Sequence, residues 1–237
     1  RLGFRKENMA ELIEVLSGQT QVVPKSIFSH LCAADDPMED DYTMSQFEYF
    51  GECCDTLQAA FPERKILRHI LNSTGITRFP EHQLDMVRLG IGLYGIKTVH
   101  DGSQDELRPV SSLHTVIISI KKWDAGTTIG YNRRGVLKRT SLIATVPVGY
   151  ADGINRHLGW GNSAMIVRGV KCPTVGTICM DACMIDVTDV PDVRVGDRVE
   201  VFGENMPVDT LADTLQTIPY EVLASISQRV KRIYYRE

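Results

Sequence analysis

The sequence predicts an α/β region of βα units followed by an all-β region. Over the first hundred residues, amphipathic helical patterns alternate with short apolar runs that are typical of buried strands. After about residue 105 the chain changes to short alternating segments, which are separated by turns rich in Gly, Asp, Asn and Pro. We therefore predict a partial (βα) barrel of the TIM type over residues 1–100 and a β-rich domain over residues 105–237, with the boundary between Gly95 and Pro109.

The first region predicts helices and strands in alternation. In chain order these are a helix over 7–18 ending on Gly18, a strand over 22–30, a helix from a Thr43 and Gln46 capping box to about residue 61, a strand over 65–75, a short helix over 79–83 and a third strand-like piece over 85–95. A closed eight-unit barrel takes about 250 residues, so this region supplies three or four units. Because the chain opens at Arg1 without an initiator methionine, we expect the remaining units upstream.

The second region is predicted to be a sheet with two late helices. Alternating strands are predicted over 114–123, 141–150, 163–169, 182–190 and 197–203, helices over 208–215 and 219–227, and a last strand over 229–235. Pro219 is well placed as a first helical residue because its missing N–H would have no partner there.

Composition excludes several classes of function. The net charge of −4 comes from 26 Lys and Arg against 30 Asp and Glu, without a basic run that would attract nucleic acid. No apolar run approaches the roughly 18 residues that suggest a membrane span. The six cysteines are scattered, which favours a reducing compartment, so we expect a cytoplasmic protein without a nucleic-acid or membrane partner.

Two clusters could be read as metal sites. Cys172, Cys179 and Cys183 lack the paired spacing of structural zinc sites and are more readily explained as small core residues. The acidic stretch over 35–41 lacks the ligand spacing and the glycine of a calcium loop, so a solvated loop is the better interpretation. We predict no metal.

Polar residues stand at the ends of the strands in the first region. Working residues of βα barrels lie at the carboxyl ends of strands, where this sequence has the four side chains His30, Asn72, Ser73 and Arg88. Ser73 and the backbone at Gly90 and Ile91 are placed as a phosphate site would require. Each residue has a simpler interpretation as a turn former or, for Arg88, as the ion-pair partner of Asp85.

One tyrosine ends an apolar strand of the second region. In VPVGYADG, residues 146–153, the strand delivers Tyr150 into a turn containing Gly149, Asp152 and Gly153. Most tyrosines are packing residues with one tethered hydroxyl, so Tyr150 taken alone is weak evidence for chemistry.

Taken together, the motifs are those of one family. In order they are RLGF at Arg1, FSHLCAAD, LNSTG, DMVRLGIGLYG, VPVGYADG, PTVGTICMD, DVRVGDRVEVFG and IPYEVLASISQRVKRIY. This series closely resembles the alanine racemases, which are pyridoxal-phosphate enzymes with a barrel followed by a β-rich domain. The resemblance implies interconversion of L- and D-alanine for peptidoglycan precursor supply, with pyridoxal 5'-phosphate as cofactor, in a homodimer with composite active sites.

The resemblance also implies roles for particular residues. The implied cofactor-binding residues are His30, Asn72, Ser73, Arg88, Gly90, Ile91 and Tyr220; those that bind the substrate carboxylate are Arg1 and Met180. Tyr150 would be one of two catalytic bases, and the second would be the lysine that forms a Schiff base with the cofactor. A phenol acts as a base only when ionised, so Tyr150 would depend on cationic neighbours, for which His30 and Arg88 are the candidates.

The sequence departs from the family pattern at three positions. Thr177 stands where the family usually has Arg, Leu89 follows Arg88 in place of proline, and Pro219 precedes Tyr220 in place of asparagine. None of these changes removes a proton-transfer group. The alternatives left open are a racemase of another small amino acid such as serine and a non-catalytic dimerisation module. A pyridoxal-phosphate decarboxylase of related architecture fits the GYADG and CMD motifs less well.

None of the lysines in this chain lies in the context of the family's Schiff-base motif, which belongs to the first strand of the barrel. We therefore expect this 237-residue polypeptide alone to be inert with pyridoxal phosphate and alanine. The loss of optical activity of L-alanine measures this directly. Turnover by the isolated chain at a rate near that of a full-length racemase would contradict the prediction.

Overall fold

A computed structural model describes residues 2–235 of the chain. The chain divides into two compact units, the first ending at Arg108 and the second beginning at Pro109. No helix among the described residues has the length and hydropathy required to cross a bilayer.

The first unit is built around a short parallel strand pair. Its elements are helix α1 (Met9–Ser17), strand β1 (Ser26–Phe28), helix α2 (Asp40–Ala60), strand β2 (Leu67–His69) and helix α3 (Ser73–Arg78). β1 and β2 pair in parallel from Ser26 opposite Leu67 to Phe28 opposite His69, and α2 forms the crossover between them. Phe47 and Phe50 of α2 pack with Ile70 and Leu71 in a buried cluster beside the strand ends.

The capping box predicted from Thr43 and Gln46 is wrong. A 3-10 turn begins at Pro37, where the side chain of Asp36 accepts a hydrogen bond from the Met38 amide, and α2 continues from that turn. An aspartate followed by proline is a stronger helix start, because it satisfies one free amide and removes another. Thr43 therefore lies inside the helix and is fully buried, and Gln46 accepts a hydrogen bond from the Cys32 amide.

The third strand predicted over 85–95 is also wrong. Among the described residues, only two backbone hydrogen bonds join this segment to β2 and the residues just after it. They run from the Asp85 amide to the Arg68 carbonyl and from the Arg88 amide to the Leu71 carbonyl. A 3-10 turn over Ile91–Tyr94 then closes on Gly95, whose φ is 69°. The glycines of this segment favour a tight turn over a continued ladder, so no third strand forms.

The second unit is a seven-stranded antiparallel sheet with a small hairpin and two helices. Its strands are β3 (Leu113–Val116), β4 (Ser119–Trp123), β5 (Thr128–Ile129), β6 (Gly135–Val136), β7 (Ser141–Val146), β8 (Ala164–Val167), β9 (Val170–Val175), β10 (Cys183–Asp186) and β11 (Arg198–Phe202), followed by helices α4 (Val208–Leu215) and α5 (Pro219–Ser225). The strand order is β3-β11-β8-β9-β10-β7-β4, and β5 pairs with β6 separately.

The sheet curls back on itself through one segment. Its two outermost strands, β3 and β4, are consecutive and are separated only by Ile117 and Ile118. The Ile117 amide donates to the Asp197 carbonyl next to β11, and the Ile118 amide donates to the Thr145 carbonyl in β7. One continuous segment thus borders both ends of the sheet, which leaves little exposed strand edge.

The core of the second unit comes from alternate residues of these strands. Val146, Val167, Ile185 and Val199 have no exposed side-chain surface. Such alternation is what the sequence pattern predicts, because successive side chains of a strand point to opposite faces.

The last predicted strand, over 229–235, does not form among the described residues. Residues 231–235 have no regular secondary structure, and Ile233, Tyr234 and Tyr235 are strongly exposed. Arg229 and Arg232 instead direct their guanidinium groups to nearby acceptors, which holds the segment without a strand partner. Alternation alone gave a false strand because it does not tell whether the segment finds a strand partner.

His114 is expected to make the free energy of unfolding of the second unit depend on pH. Within residues 2–235 its buried Nδ1 has no hydrogen-bond partner. Burial and then the charge of Arg198 lower the pKa of His114, against a smaller opposing effect of Glu200. A histidine with a lowered pKa binds protons more readily when unfolded, so its contribution to stability is complete above the unfolded value near 6.5. That contribution is lost as the pH falls through the folded pKa.

We therefore expect the free energy of unfolding of the second unit to decrease as the pH falls below about 6.5, by at most about 1.4 kcal/mol per pH unit from this one group. Both tryptophans, Trp123 and Trp160, lie in this unit, so urea unfolding followed by tryptophan fluorescence reports on it alone. His114→Gln is expected to flatten the slope. An equally steep slope in that variant would contradict the assignment.

Candidate functional site

The predicted site residues fall into one group in each unit. The first unit holds His30, Asn72, Ser73, Arg88, Gly90 and Ile91; the second holds Tyr150, Met180 and Tyr220. Arg1 lies outside the described residues.

Arg88 is held by the strand ends of the first unit. Its guanidinium donates to the carbonyl oxygens of Ser29 at 2.6 Å, His69 at 3.2 Å and Ile70 at 3.2 Å. One guanidinium nitrogen lies 3.2 Å from Nδ1 of His30. The carbonyl partners carry no net charge, so among the described residues they fix Arg88 in place without forming an ion pair, and burial lowers its pKa.

His69 is a member of this cluster that the sequence analysis did not identify. Its Nδ1 lies 2.8 Å from a guanidinium nitrogen of Arg88, and its ring stacks on Phe28 with centroids 5.2 Å apart. Burial, and then the charge of Arg88, lower the pKa of His69. A neutral His69 accepts a hydrogen bond from Arg88, so it helps to orient the guanidinium. Its place at the end of β2 was the available signal.

Asn72 and Ser73 lie where β2 leads into α3. The Asn72 side chain caps the helix by accepting a hydrogen bond from the Gly75 amide at 2.9 Å. A Cβ atom at Gly75 would lie 3.0 Å from the side chains of both Leu31 and Leu71, so this helix start packs closely on the core. Asn72 thus has a structural role that places Ser73 at the first position of the helix.

The Ser73 hydroxyl is the centre of a small cradle of backbone amides. Its oxygen accepts hydrogen bonds from the amides of Gly90 at 3.0 Å and Gly92 at 3.2 Å. Ile91, between them, is buried. Backbone amides gathered around one hydroxyl form the kind of donor group that can bind the oxygens of a phosphate.

Tyr150 lies in a tight turn at the end of β7. A 3-10 turn runs over Tyr150–Asp152 and ends on Gly153, whose φ of 106° is in the left-handed region. The Asp152 side chain closes the turn by accepting a hydrogen bond from the Gly149 amide at 2.9 Å. Tyr150 is 43% exposed, so its side chain is not buried in the core.

Met180 is brought next to Tyr150 by backbone contacts. The Tyr150 amide donates to the Cys179 carbonyl at 3.0 Å, and the Ala151 amide donates to the Met180 carbonyl at 3.0 Å. A Cβ atom at Gly149 would lie 2.4 Å from both carbonyl oxygens, which no real side chain tolerates. Glycine at this position is therefore required for the two segments to meet.

Tyr220 lies at the start of helix α5. It is the second residue of that helix and is 47% exposed. The other end of α5 packs on the Tyr150 turn, where the Ser225 hydroxyl donates to the Gly153 carbonyl at 3.3 Å. A Cβ atom at Gly153 would lie 2.5 Å from the Ser225 carbonyl oxygen, so this contact also depends on a glycine.

Thr177, one of the departures from the family pattern, is buried. Its hydroxyl accepts a hydrogen bond from the indole nitrogen of Trp160 at 3.1 Å and donates to the Tyr131 carbonyl at 3.4 Å. The Arg134 guanidinium lies over the Trp160 ring, 5.2 Å from its centroid. Thr177 therefore joins two loops of the second unit and leaves no charge at its own position.

Two of the three cysteines of the second unit, Cys172 and Cys183, are buried core residues, and Cys179 is partly buried. Burial raises the pKa of Cys172 to about 11 and that of Cys183 to about 12, so both thiols are protonated at neutral pH. Among the described residues no group of three His, Cys, Asp or Glu side chains is arranged to hold a metal ion.

The carbonyl cluster around Arg88 predicts a cost for a substitution that preserves charge. Lysine cannot reach the same set of acceptors, so Arg88→Lys removes donors from the carbonyls of this cluster and is expected to lower the free energy of unfolding by roughly 1–3 kcal/mol. Arg64→Lys, at an exposed guanidinium over the Phe61 ring, is the matched control and should change it by less than about 0.5 kcal/mol. Urea unfolding followed by far-ultraviolet circular dichroism measures both, and equal midpoints would contradict the prediction.

Comparison with protein families gives a consistent result for the two parts of the chain. Residues 1–98 match the family model of the alanine racemase N-terminal domain, and residues 110–234 match that of the alanine racemase C-terminal domain. Among curated relatives, alanine racemase 2 of Caldanaerobacter subterraneus subsp. tengcongensis is 42% identical over 99% of this chain. The alanine racemase of Clostridium tetani is 41% identical over 100% of it. The chain spans 61% and 62% of the length of these two relatives.

Solved structures agree. An alanine racemase from Bacillus anthracis with bound L-Ala-P has a TM-score of 0.90 at 31% identity, covering 100% of this chain and 62% of that one. One from Bartonella henselae with covalently bound pyridoxal phosphate has a TM-score of 0.86 at 30% identity, covering 99% of this chain and 63% of that one. The predicted fold class and the sequence resemblance are both confirmed. The chain belongs to the alanine racemase family.

Proposed function

We propose that a protein containing this chain is a pyridoxal-phosphate-dependent alanine racemase that interconverts L- and D-alanine. The observation that carries the proposal is the position of Arg88, whose guanidinium is fixed by three backbone carbonyls and lies in the same unit as the Ser73 cradle. A cation held beside a phosphate-type cradle suits a planar, phosphorylated cofactor. Membership of the family supplies the reaction.

The residues of the first unit fit pyridoxal phosphate at two points. The Ser73 hydroxyl and the amides of Gly90 and Ile91 would hold its phosphate, since the hydrogen bonds from the Gly90 and Gly92 amides to Ser73 fix this loop beside the hydroxyl. Arg88 would face the pyridine nitrogen, and His30, next to Arg88, would lie against the ring. When bound, the cofactor supplies an electron sink for the pair left on the α-carbon of the amino acid.

Arg88 also restrains the chemistry. A guanidinium does not give up its proton at accessible pH, so a nitrogen that faces Arg88 stays unprotonated. His69, which is oriented toward the same guanidinium, helps to keep that geometry. The resulting weaker electron sink favours return of the proton to carbon over side reactions such as transamination.

Tyr150 would act as the base on one face of the α-carbon, with its hydroxyl oxygen accepting or returning the proton. Racemisation requires a second base on the opposite face. In the family this is the cofactor-binding lysine, whose motif has no counterpart in this chain.

Met180 would bind the substrate carboxylate through its amide. A carboxylate accepts hydrogen bonds, so it needs a donor, and the backbone donor of Met180 is its amide. The Met180 carbonyl accepts a hydrogen bond from the Ala151 amide. Arg1 would form the second contact with the carboxylate. In the family, the tyrosine reaches the cofactor of the other subunit, so the proposal includes a homodimer with composite active sites.

The proposed physiological role is supply of D-alanine for peptidoglycan precursors in the cytoplasm. This role requires neither a membrane nor a nucleic-acid partner. No contact in the described residues favours serine over alanine as the substrate.

Tyr150→Phe tests the proposal in the full-length protein loaded with pyridoxal phosphate. Loss of the hydroxyl is expected to lower kcat for racemisation by roughly 10²- to 10⁴-fold, because general base catalysis on one face is removed. Tyr131→Phe, at a tyrosine that is 67% exposed in the same unit, is the control and should retain activity. Circular dichroism of L-alanine measures the rate, and an unchanged rate in Tyr150→Phe would refute the role.

A further inference from the structure

Arg229 links the two backbone segments that carry Tyr150 and Met180. Its Nε donates to Oδ1 of Asp152 at 2.7 Å, and a terminal nitrogen donates to Oδ1 of Asp181 at 2.7 Å. Asp152 belongs to the Tyr150 turn, and Asp181 directly follows Met180. One guanidinium thus bridges carboxylates from both segments.

Asp152 also accepts hydrogen bonds from the backbone around the turn. Its second oxygen accepts the Gly149 amide at 2.9 Å, and its carbonyl accepts the Ser227 amide at 3.1 Å. Its side chain is only 13% exposed. Burial raises the pKa of Asp152, but the hydrogen bonds from Arg229 and Gly149 outweigh it and lower the net value, so the carboxylate stays ionised at neutral pH.

We propose that Arg229 is a positioning residue for racemisation: by bridging Asp152 and Asp181 it fixes the turn that carries Tyr150 against the segment that carries Met180. The effect of Arg229 on racemisation rests on the proposed function. Its effect on the position of the Tyr150 turn rests on the hydrogen bonds alone. Arg229 acts through Tyr150 and Met180 and does not itself contact the reacting atoms.

The chemistry of the side chain supports this assignment. A guanidinium presents several donors in a rigid plane, so it can bond two carboxylates in different directions at once. The two carboxylates would otherwise repel each other across the junction, and the bridging cation removes that repulsion. A lysine offers one point charge on a flexible stem and is expected to hold only one of the two carboxylates.

Amide hydrogen exchange in the 237-residue chain tests the positioning directly. Arg229→Gln is expected to speed exchange of the Tyr150 and Ala151 amides by about tenfold or more, because these amides bond across the junction. Exchange in the β4–β7 ladder should stay unchanged. Arg168→Gln is the matched control, since Arg168 forms a comparable pair with Asp197 at 2.9 Å in the same unit.

Equal exchange at Tyr150 and Ala151 in the Arg229 and Arg168 variants would overturn the inference. If Arg229→Gln does not fold, Asp181→Ala decides. That substitution removes an acceptor that is 63% exposed and leaves the Asp152 bond intact. Faster exchange of the Ala151 amide in this variant supports the inference, and unchanged exchange overturns it.

Kinetics of the full-length holoenzyme then test the catalytic consequence. Arg229→Gln is expected to lower kcat roughly 10- to 100-fold, the cost of a small misplacement of a catalytic group, with partial recovery in Arg229→Lys. Arg168→Gln should retain kcat. A raised KM with unchanged kcat in Arg229→Gln would overturn the positioning role. If the unsubstituted enzyme fails to racemise alanine, the proposed function fails, and the exchange experiment still decides the role of Arg229 in the turn.

Discussion

The site in the second unit depends on the close approach of two backbone segments at Gly149. Its φ of −149° is open to any residue, so glycine is required there by space and not by conformation. The Cys179 and Met180 carbonyl oxygens occupy the volume that a side chain would need. Because the amides of Tyr150 and Ala151 bond to those same carbonyls, the position of the tyrosine is set by main-chain geometry, which is more rigid than side-chain packing.

Main-chain carbonyls also fix a site residue in the first unit, where they hold the charged guanidinium of Arg88. Asp85, the carboxylate that offered a simple ion-pair explanation for Arg88, instead accepts the Arg68 amide at 2.9 Å and pairs with Lys65 at 3.4 Å. Arg88 is left with carbonyls and imidazole nitrogens as its partners. Carbonyl dipoles orient a guanidinium without cancelling its charge, so the cation stays available to a ligand.

Sequence patterns predict an element correctly when the forces that determine it act within a few residues. Helix α4 forms where periodicity placed it, and the alternation in the second region identified most of the sheet, because both signals lie within a few residues. β9 was missed because Lys171 and Pro173 obscure its pattern, although it pairs with β8 on one side and β10 on the other. The false strand over 229–235 shows the converse error, since alternation says nothing about whether a sheet edge is free.

The same distinction separates the site residues found from sequence from those that were not. Tyr150, Ser73 and Arg88 stand in recognisable motifs, so residue type and position were enough to name them. His69 and Arg229 act through partners distant in sequence: Arg229 lies 77 residues from Asp152 and 48 from Asp181. Such pairings arise only when the fold brings the segments together, and an exposed arginine in a charged tail has no local feature to mark it. Catalytic groups can therefore be predicted from a motif, whereas the groups that orient them are identified only from the folded structure.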